Sequence, residues 1–307
     1  MATRHPAKTS GTPVRVAFGV MAGALALGAL LNAPSLVAAA SAQPPGPVRT
    51  VALPVAEGLG RVGEALRLDR LHAWFTSLAH PERTGQGEGP RPVFVPTPNR
   101  KATLLVAGDS LVDPFGPEMV ALAEATGLVT GRWEVQYSSG LTRPQLFDWS
   151  DWLEEDLVGV DMVVFMVGAN DSQPIETPSG WASTGTPEWA AEYGGRVDEM
   201  MTLLESRVAT VYWVGQPIGR SSEHSARMAV LNDIYGEVAT GHDRVRYVDS
   251  WEVFTDPDGA YSDFLTDQTG RLVLMRQPDG IHFTPEGARK LAQRVLDVIG
   301  ADWAIAR

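Results

Sequence analysis

The stretch ATLLVAGDSLVDPFGPEMVALAEAT, residues 102–126, sets the architecture of the chain. Its first seven residues, 102–108, are short, apolar and stopped by Gly108. That is the pattern of a strand buried on both faces, and such strands belong to parallel sheets covered by helices. After a polar turn, the spacing predicts a helix from Pro117 to Thr126. Working outward, MVVFMVGA (162–169) repeats the buried-strand pattern and is followed by a helix over 188–206. TVYWVGQPI (210–218) predicts a strand, Ser225 to Thr240 a helix, VRYVDSW (245–251) a strand and Thr284 to Ile299 a closing helix. Strand and helix alternate, so the fold class is α/β: a three-layer α/β/α sandwich with a mainly parallel sheet.

Ligands of such sheets sit outside the carboxyl ends of the strands. Three polar clusters fall at predicted strand ends or just before the last helix: Gly108-Asp109-Ser110-Leu111, Gly168-Ala169-Asn170-Asp171 and Asp279-Gly280-Ile281-His282. A serine in the position of Ser110 is either a nucleophile or a helix N-cap. The three-residue step from Asp279 to His282 lets the carboxylate accept the Nδ1 proton, which leaves Nε2 free to take a proton from a serine. Asn170 offers a side-chain amide, and Gly140 in YSSGL (137–141) offers a backbone N–H; with the Ser110 N–H these are three donors for an oxyanion. Taken singly, Gly140 is equally a turn glycine and Asn170 a strand-end residue.

In this order and residue choice the clusters resemble the SGNH (GDSL-type) hydrolase superfamily. Gly108-Asp-Ser-Leu111 matches its nucleophile block, Gly140 its second, Gly168-x-Asn170-Asp171 its third and Asp279-x-x-His282 its last, over about residues 101–300. The flanking runs SSGLTRPQLFDW (138–149), GANDSQ (168–173), NDIYGEVA (232–239) and DGIHFTPEG (279–287) are similar to a bacterial envelope branch known only as a domain of unknown function. The resemblance implies an SGNH/flavodoxin-like sandwich. It implies Ser110, His282 and Asp279 as the catalytic triad, and Ser110, Gly140 and Asn170 as the oxyanion hole. It implies no metal and no cofactor, with Asp109 and Asp171 as structural braces; without it, Asp109, Asp113, Asp171 and His282 read as an oxygen-rich metal site. Arg143 and Gln173, each three residues beyond an oxyanion position, are expected to line the substrate pocket, although Arg143 equally suits a salt bridge to Asp148. His224 is expected in solvent near a strand end. Trp133, Trp149, Trp152, Trp181 and Trp189 suit sugar stacking or core packing alike.

With Lys plus Arg at 25 against 37 for Asp plus Glu, the formal charge of −12 has the wrong sign for nucleic acid. Cysteine is absent, which excludes disulfides, thiolate metal sites and a cysteine nucleophile. Residues 1–15 carry Arg4, Lys8 and Arg15 and no acid, and 18 uncharged, mostly apolar residues follow from Val16 to Ala33. At ~1.5 Å per residue that run reaches roughly 27 Å, close to a hydrocarbon core. The basic flank predicts export of everything after it. Ala40-Ser41-Ala42 suits signal peptidase, whereas the apolar run exceeds the usual ~7–15 residues, so cleaved signal and retained anchor both stay open.

The expected organisation is a tail and signal or anchor over 1–42, Pro/Gly-rich linkers with one helix (Pro54 to Leu78) over 43–100, and the SGNH domain over 101–300. The expected function is an exported serine esterase acting on an acyl ester, on an envelope carbohydrate or a small molecule. One alternative is an O-acyltransferase that modifies a wall polysaccharide beside a polytopic acyltransferase partner. The other is a wall-binding module without chemistry.

Overall fold

The computed structural model describes residues 94–305 apart from 179, together with 54, 55 and 58. The predicted signal or anchor segment, and the predicted helix from Pro54 to Leu78 apart from three residues, lie outside the described residues. Among the described residues, no helix is long and apolar enough to cross a membrane. The elements below belong to one of two compact units, Gly85–Arg307.

Five strands form the central sheet: β1 (Ala102–Gly108), β2 (Val129–Val135), β3 (Met162–Met166), β6 (Thr210–Val214) and β7 (Val245–Val248). Their order is β2-β1-β3-β6-β7, and every pair is parallel. The strand side chains alternate between two cores, as a period of two requires. Leu104 and Val106 of β1, Met162 and Val164 of β3 and Tyr212 of β6 enter one core. Leu105 and Ala107, Val163 and Phe165, and Val211 and Trp213 enter the other. The first core is closed by α1 (Val112–Ala125) and α5 (Pro285–Trp303), the second by α2 (Trp149–Asp156), α3 (Pro187–Arg207) and α4 (Ser222–Ala239). Helices on both faces of one parallel sheet make the three-layer α/β/α sandwich. Two small antiparallel hairpins, β4 (Ile175–Thr177) with β5 (Gly180–Ala182) and β8 (Phe264–Thr266) with β9 (Leu272–Leu274), lie outside it.

Local sequence explains the helix starts. Thr186 and Thr284 cap α3 and α5 through side-chain oxygens that accept from Trp189 N and Gly287 N, and each helix begins on a proline whose missing N–H costs nothing there. The α1 start corrects the expectation. The helix begins at Val112, five residues before Pro117. Pro114 falls in its first turn, where N–H groups lack intrahelical acceptors anyway, and Pro117 gives up one bond inside the helix. The packed core also reaches beyond 101–300: Phe94 meets Trp303 edge-on at 5.7 Å, and Trp303 and Ile305 are buried.

The chain runs from β1 outward to β2 and then crosses to β3 on the other side of β1. The carboxyl ends of β1 and β3 therefore flank the switch point where such sheets bind ligands.

Candidate active site

Ser110 follows β1 at this switch point, and its hydroxyl does not cap α1. Instead, Ser110 Oγ lies 2.9 Å from His282 Nε2, and His282 Nδ1 lies 2.7 Å from Asp279 Oδ2. The other Asp279 oxygen accepts from the N–H groups of Ile281 (2.8 Å) and His282 (3.0 Å). Burial pushes the Asp279 carboxyl up, but those two N–H groups and the imidazole outweigh it and hold the group below the ordinary carboxylate range. A carboxylate on Nδ1 fixes the tautomer whose Nε2 accepts a proton, so the three side chains form a proton path from a hydroxyl to a braced base.

Asp279 and His282 ride on one hairpin. Arg276 bridges Phe283, Gln277 N donates to His282 O (2.8 Å), and Gly280 N closes the turn on Gln277 O (2.9 Å). Gly280 has φ of 72°, and Arg220 Cβ lies 2.5 Å from where a Cβ would stand, so only glycine fits. Arg220, from the loop after β6, holds this turn from outside: its N–H donates to Gly280 O (3.1 Å) and its guanidinium to Pro278 O (2.6 Å) and Asp263 (2.7 Å).

Two buried carboxylates tie the remaining clusters together. Asp109 accepts from Leu111 N, Gly168 N and Ala169 N, each at 3.0 Å, which binds the end of β1 to the end of β3. Burial pushes its carboxyl up to about 6 against the pull of those N–H groups, and neighbouring Asp171 adds to the rise. Asp171 accepts from Leu141 N (2.9 Å), Thr142 N (2.9 Å), Thr142 Oγ1 (2.8 Å) and Tyr193 OH (2.8 Å), which fixes the loop after Gly140. These oxygens are occupied by protein donors, so the braces, rather than an oxygen-rich cation cage, account for both residues.

Asn170 donates one amide hydrogen to Ser139 O (3.0 Å), and an amide has two. The second hydrogen and the N–H groups of Ser110 and Gly140 have no protein acceptor among the described residues. N–H groups left without a protein acceptor are of the kind that can hold a developing negative charge.

Arg143 donates to Ser138 O at 3.4 Å and does not pair with Asp148, whose carboxylate caps α2 through Ser150 N and Asp151 N. Gln173 is exposed, with its carbonyl accepting from Trp189 Nε1 at 2.7 Å. Trp149 and Trp189 are fully buried, and Trp149 Nε1 donates to Ser139 Oγ at 3.1 Å. Both rings therefore support the site loops rather than offering sugar faces; Trp152 packs on Trp149, while Trp133 and Trp181 are exposed. His224 is half-buried against Gly219, not solvated, and burial with nearby Arg227 and Arg276 holds its pKa below the usual histidine range. Arg220 and Arg276 were not legible as site residues. A single arginine in a loop has no periodicity, and the partners of these two are mostly backbone carbonyls.

The profile described as Protein of unknown function (DUF459) matches residues 103–298, which takes in every cluster above. The chain belongs to the DUF459 family. Among curated proteins nothing matches the sequence. Of solved structures, this DUF459 protein is similar to a catalytic mutant of an acetylxylan esterase from Geobacillus stearothermophilus (15% identity, 67% of this chain and 97% of that chain, TM-score 0.49). It is also similar to an alpha/beta hydrolase enzyme from the metagenome of Lake Arreo, Spain (19%, 66% and 96%, 0.47). A third is a GDSL-like lipase from Bacteroides thetaiotaomicron (13%, 68% and 92%, 0.44).

Proposed function

We propose that this DUF459 protein is an extracytoplasmic serine esterase of the SGNH type. The observation that carries the reading is the chain of two short contacts, Ser110 Oγ to His282 Nε2 at 2.9 Å and His282 Nδ1 to Asp279 Oδ2 at 2.7 Å, at the switch point of a parallel sheet. Ser110 Oγ attacks an ester carbonyl while its proton passes to His282 Nε2, and Asp279 stabilises the resulting imidazolium. The carbonyl oxygen becomes an oxyanion held by the N–H groups of Ser110 and Gly140 and the free hydrogen of Asn170. Collapse breaks the ester C–O bond, and the departing alkoxide takes the proton from His282. Water, deprotonated by the same imidazole, then attacks the acyl-serine; collapse breaks the acyl–Oγ bond, the imidazolium returns its proton to Ser110 Oγ and the carboxylic acid leaves.

The basic tail and apolar run over 1–33 support export, so the substrates in reach are envelope esters, with acylated carbohydrate foremost. The full chain is expected to hydrolyse an activated acetyl ester, and Ser110→Ala to abolish turnover while leaving the fold intact. Unchanged turnover in Ser110→Ala would reject the mechanism.

A further inference from the structure

The Arg276 guanidinium is buried among apolar groups, 1% exposed as a residue, and makes no ion pair among the described residues. Its Cζ lies 4.2 Å from the ring centroid of Phe254 and 4.6 Å from that of Phe283. Its Nη1 donates to Ile281 O and its Nη2 to Ile218 O (2.7 Å), while Nε has no partner. Burial pulls its pKa down to about 10, and Tyr261, Asp279 and Asp263 pull the other way, so the cation persists at neutral pH. A buried cation is costly, and a hydrocarbon of similar size would pack against the stacked rings of Phe254 and Phe283 at less cost. What a guanidinium adds is a planar fork that holds two carbonyls at once.

Those carbonyls identify its task. Ile281 is the residue before His282, on the hairpin that carries both Asp279 and His282. Ile218 belongs to the loop after β6, which Arg220 fastens to the same hairpin at Gly280. We infer that Arg276 is a positioning residue, joining the β6 loop to the carbonyl beside His282 so that Nε2 is held on Ser110 Oγ. The inference rests on the esterase reading of this site.

The test compares the full chain with Arg276→Met and Arg276→Lys for hydrolysis of p-nitrophenyl acetate, with rates expressed per site that takes a fluorophosphonate label. A misplaced base costs rate rather than ester binding. The expectation for Arg276→Met is therefore a fall in kcat of about 10- to 100-fold with KM changed less than about twofold, and an equal fall in the labelling rate constant. Methylguanidinium added to Arg276→Met is expected to restore part of the rate. Arg276→Lys keeps the charge but reaches one carbonyl rather than two, so an intermediate kcat is expected; it decides the matter alone if Arg276→Met does not fold. Wild-type kcat per labelled site in the folded variants, with loss confined to thermal stability, would overturn the positioning role. A wild-type chain that neither hydrolyses the ester nor takes the label would instead overturn the esterase reading.

Discussion

Asp171 closes over Gly140 so tightly that a Cβ on the glycine would lie 2.1 Å from the carboxylate Oδ1. Glycine is required there for the approach of the brace. The same Asp171 carboxylate accepts from Leu141 N and Thr142 N, so the brace aims the loop that presents the Gly140 N–H.

Gly140→Ala is therefore expected to displace Asp171 or the 140–142 loop and to lower both stability and rate. On the proposed mechanism, loss of aim at one oxyanion donor predicts a fall in kcat on the order of 10²-fold. Ester kinetics with a thermal melt checks it, and unchanged values in both would remove the brace from the account.

Asn170→Ala deletes the bond to Ser139 O and, on the proposed mechanism, one oxyanion donor. The expected fall in kcat is about 10²–10³-fold, with KM little changed. Asn170→Asp replaces the donor with an acceptor and is expected to be worse than alanine at neutral pH.

The Asp109 carboxyl, pushed by burial up to about 6 from 3.8, binds its proton more tightly folded than unfolded. That stabilisation is full below about pH 3.8 and is lost as pH rises through about 6, with a total on the order of 3 kcal/mol. Denaturant titrations of the wild-type chain and Asp109→Asn at several pH values check it. Relative to Asp109→Asn, the wild type is expected to gain stability on acidification from pH 7 to pH 4. A constant difference between the two proteins would contradict the assignment.

Much of this site was legible in the sequence because its parts fall just after two apolar runs or in a short polar spacing. Ser110 and Asn170 end strands, and Asp279 with His282 precedes a capped helix. Other parts had no such signal. VTGRWEV, which forms β2, is an edge strand carrying Gly131, Arg132 and Glu134, and its exposed residues blur the alternation that marks a buried strand. Helix α2 spans eight residues, and each strand of the two hairpins spans three, too few for a period to emerge. The spacing predicts a helix only from Pro117, yet packing on β2 and α5 extends α1 back to Val112. Arg276 reaches Ile218 across 58 residues, a contact that only the fold creates.

Transfer of the acyl group to a sugar hydroxyl would use the same acyl-serine, since only the second nucleophile differs. Incubation of the full chain with an activated acetyl ester and wall oligosaccharides, followed by mass spectrometry, separates the two outcomes. Free acetate is expected whether or not oligosaccharide is present. Acetylated oligosaccharide that grows as acetate release falls would replace hydrolysis with transfer.

The central claim is that Ser110 is a nucleophile activated by His282, and covalent labelling tests it most directly. The full chain is treated with a fluorophosphonate, digested and mapped by mass spectrometry, alongside His282→Ala. The account predicts a single adduct on the peptide containing Ser110, formed rapidly in the wild type and at least about 10²-fold more slowly without the imidazole. A folded wild-type chain that carries no adduct at Ser110, or one whose labelling rate is the same in His282→Ala, would contradict it.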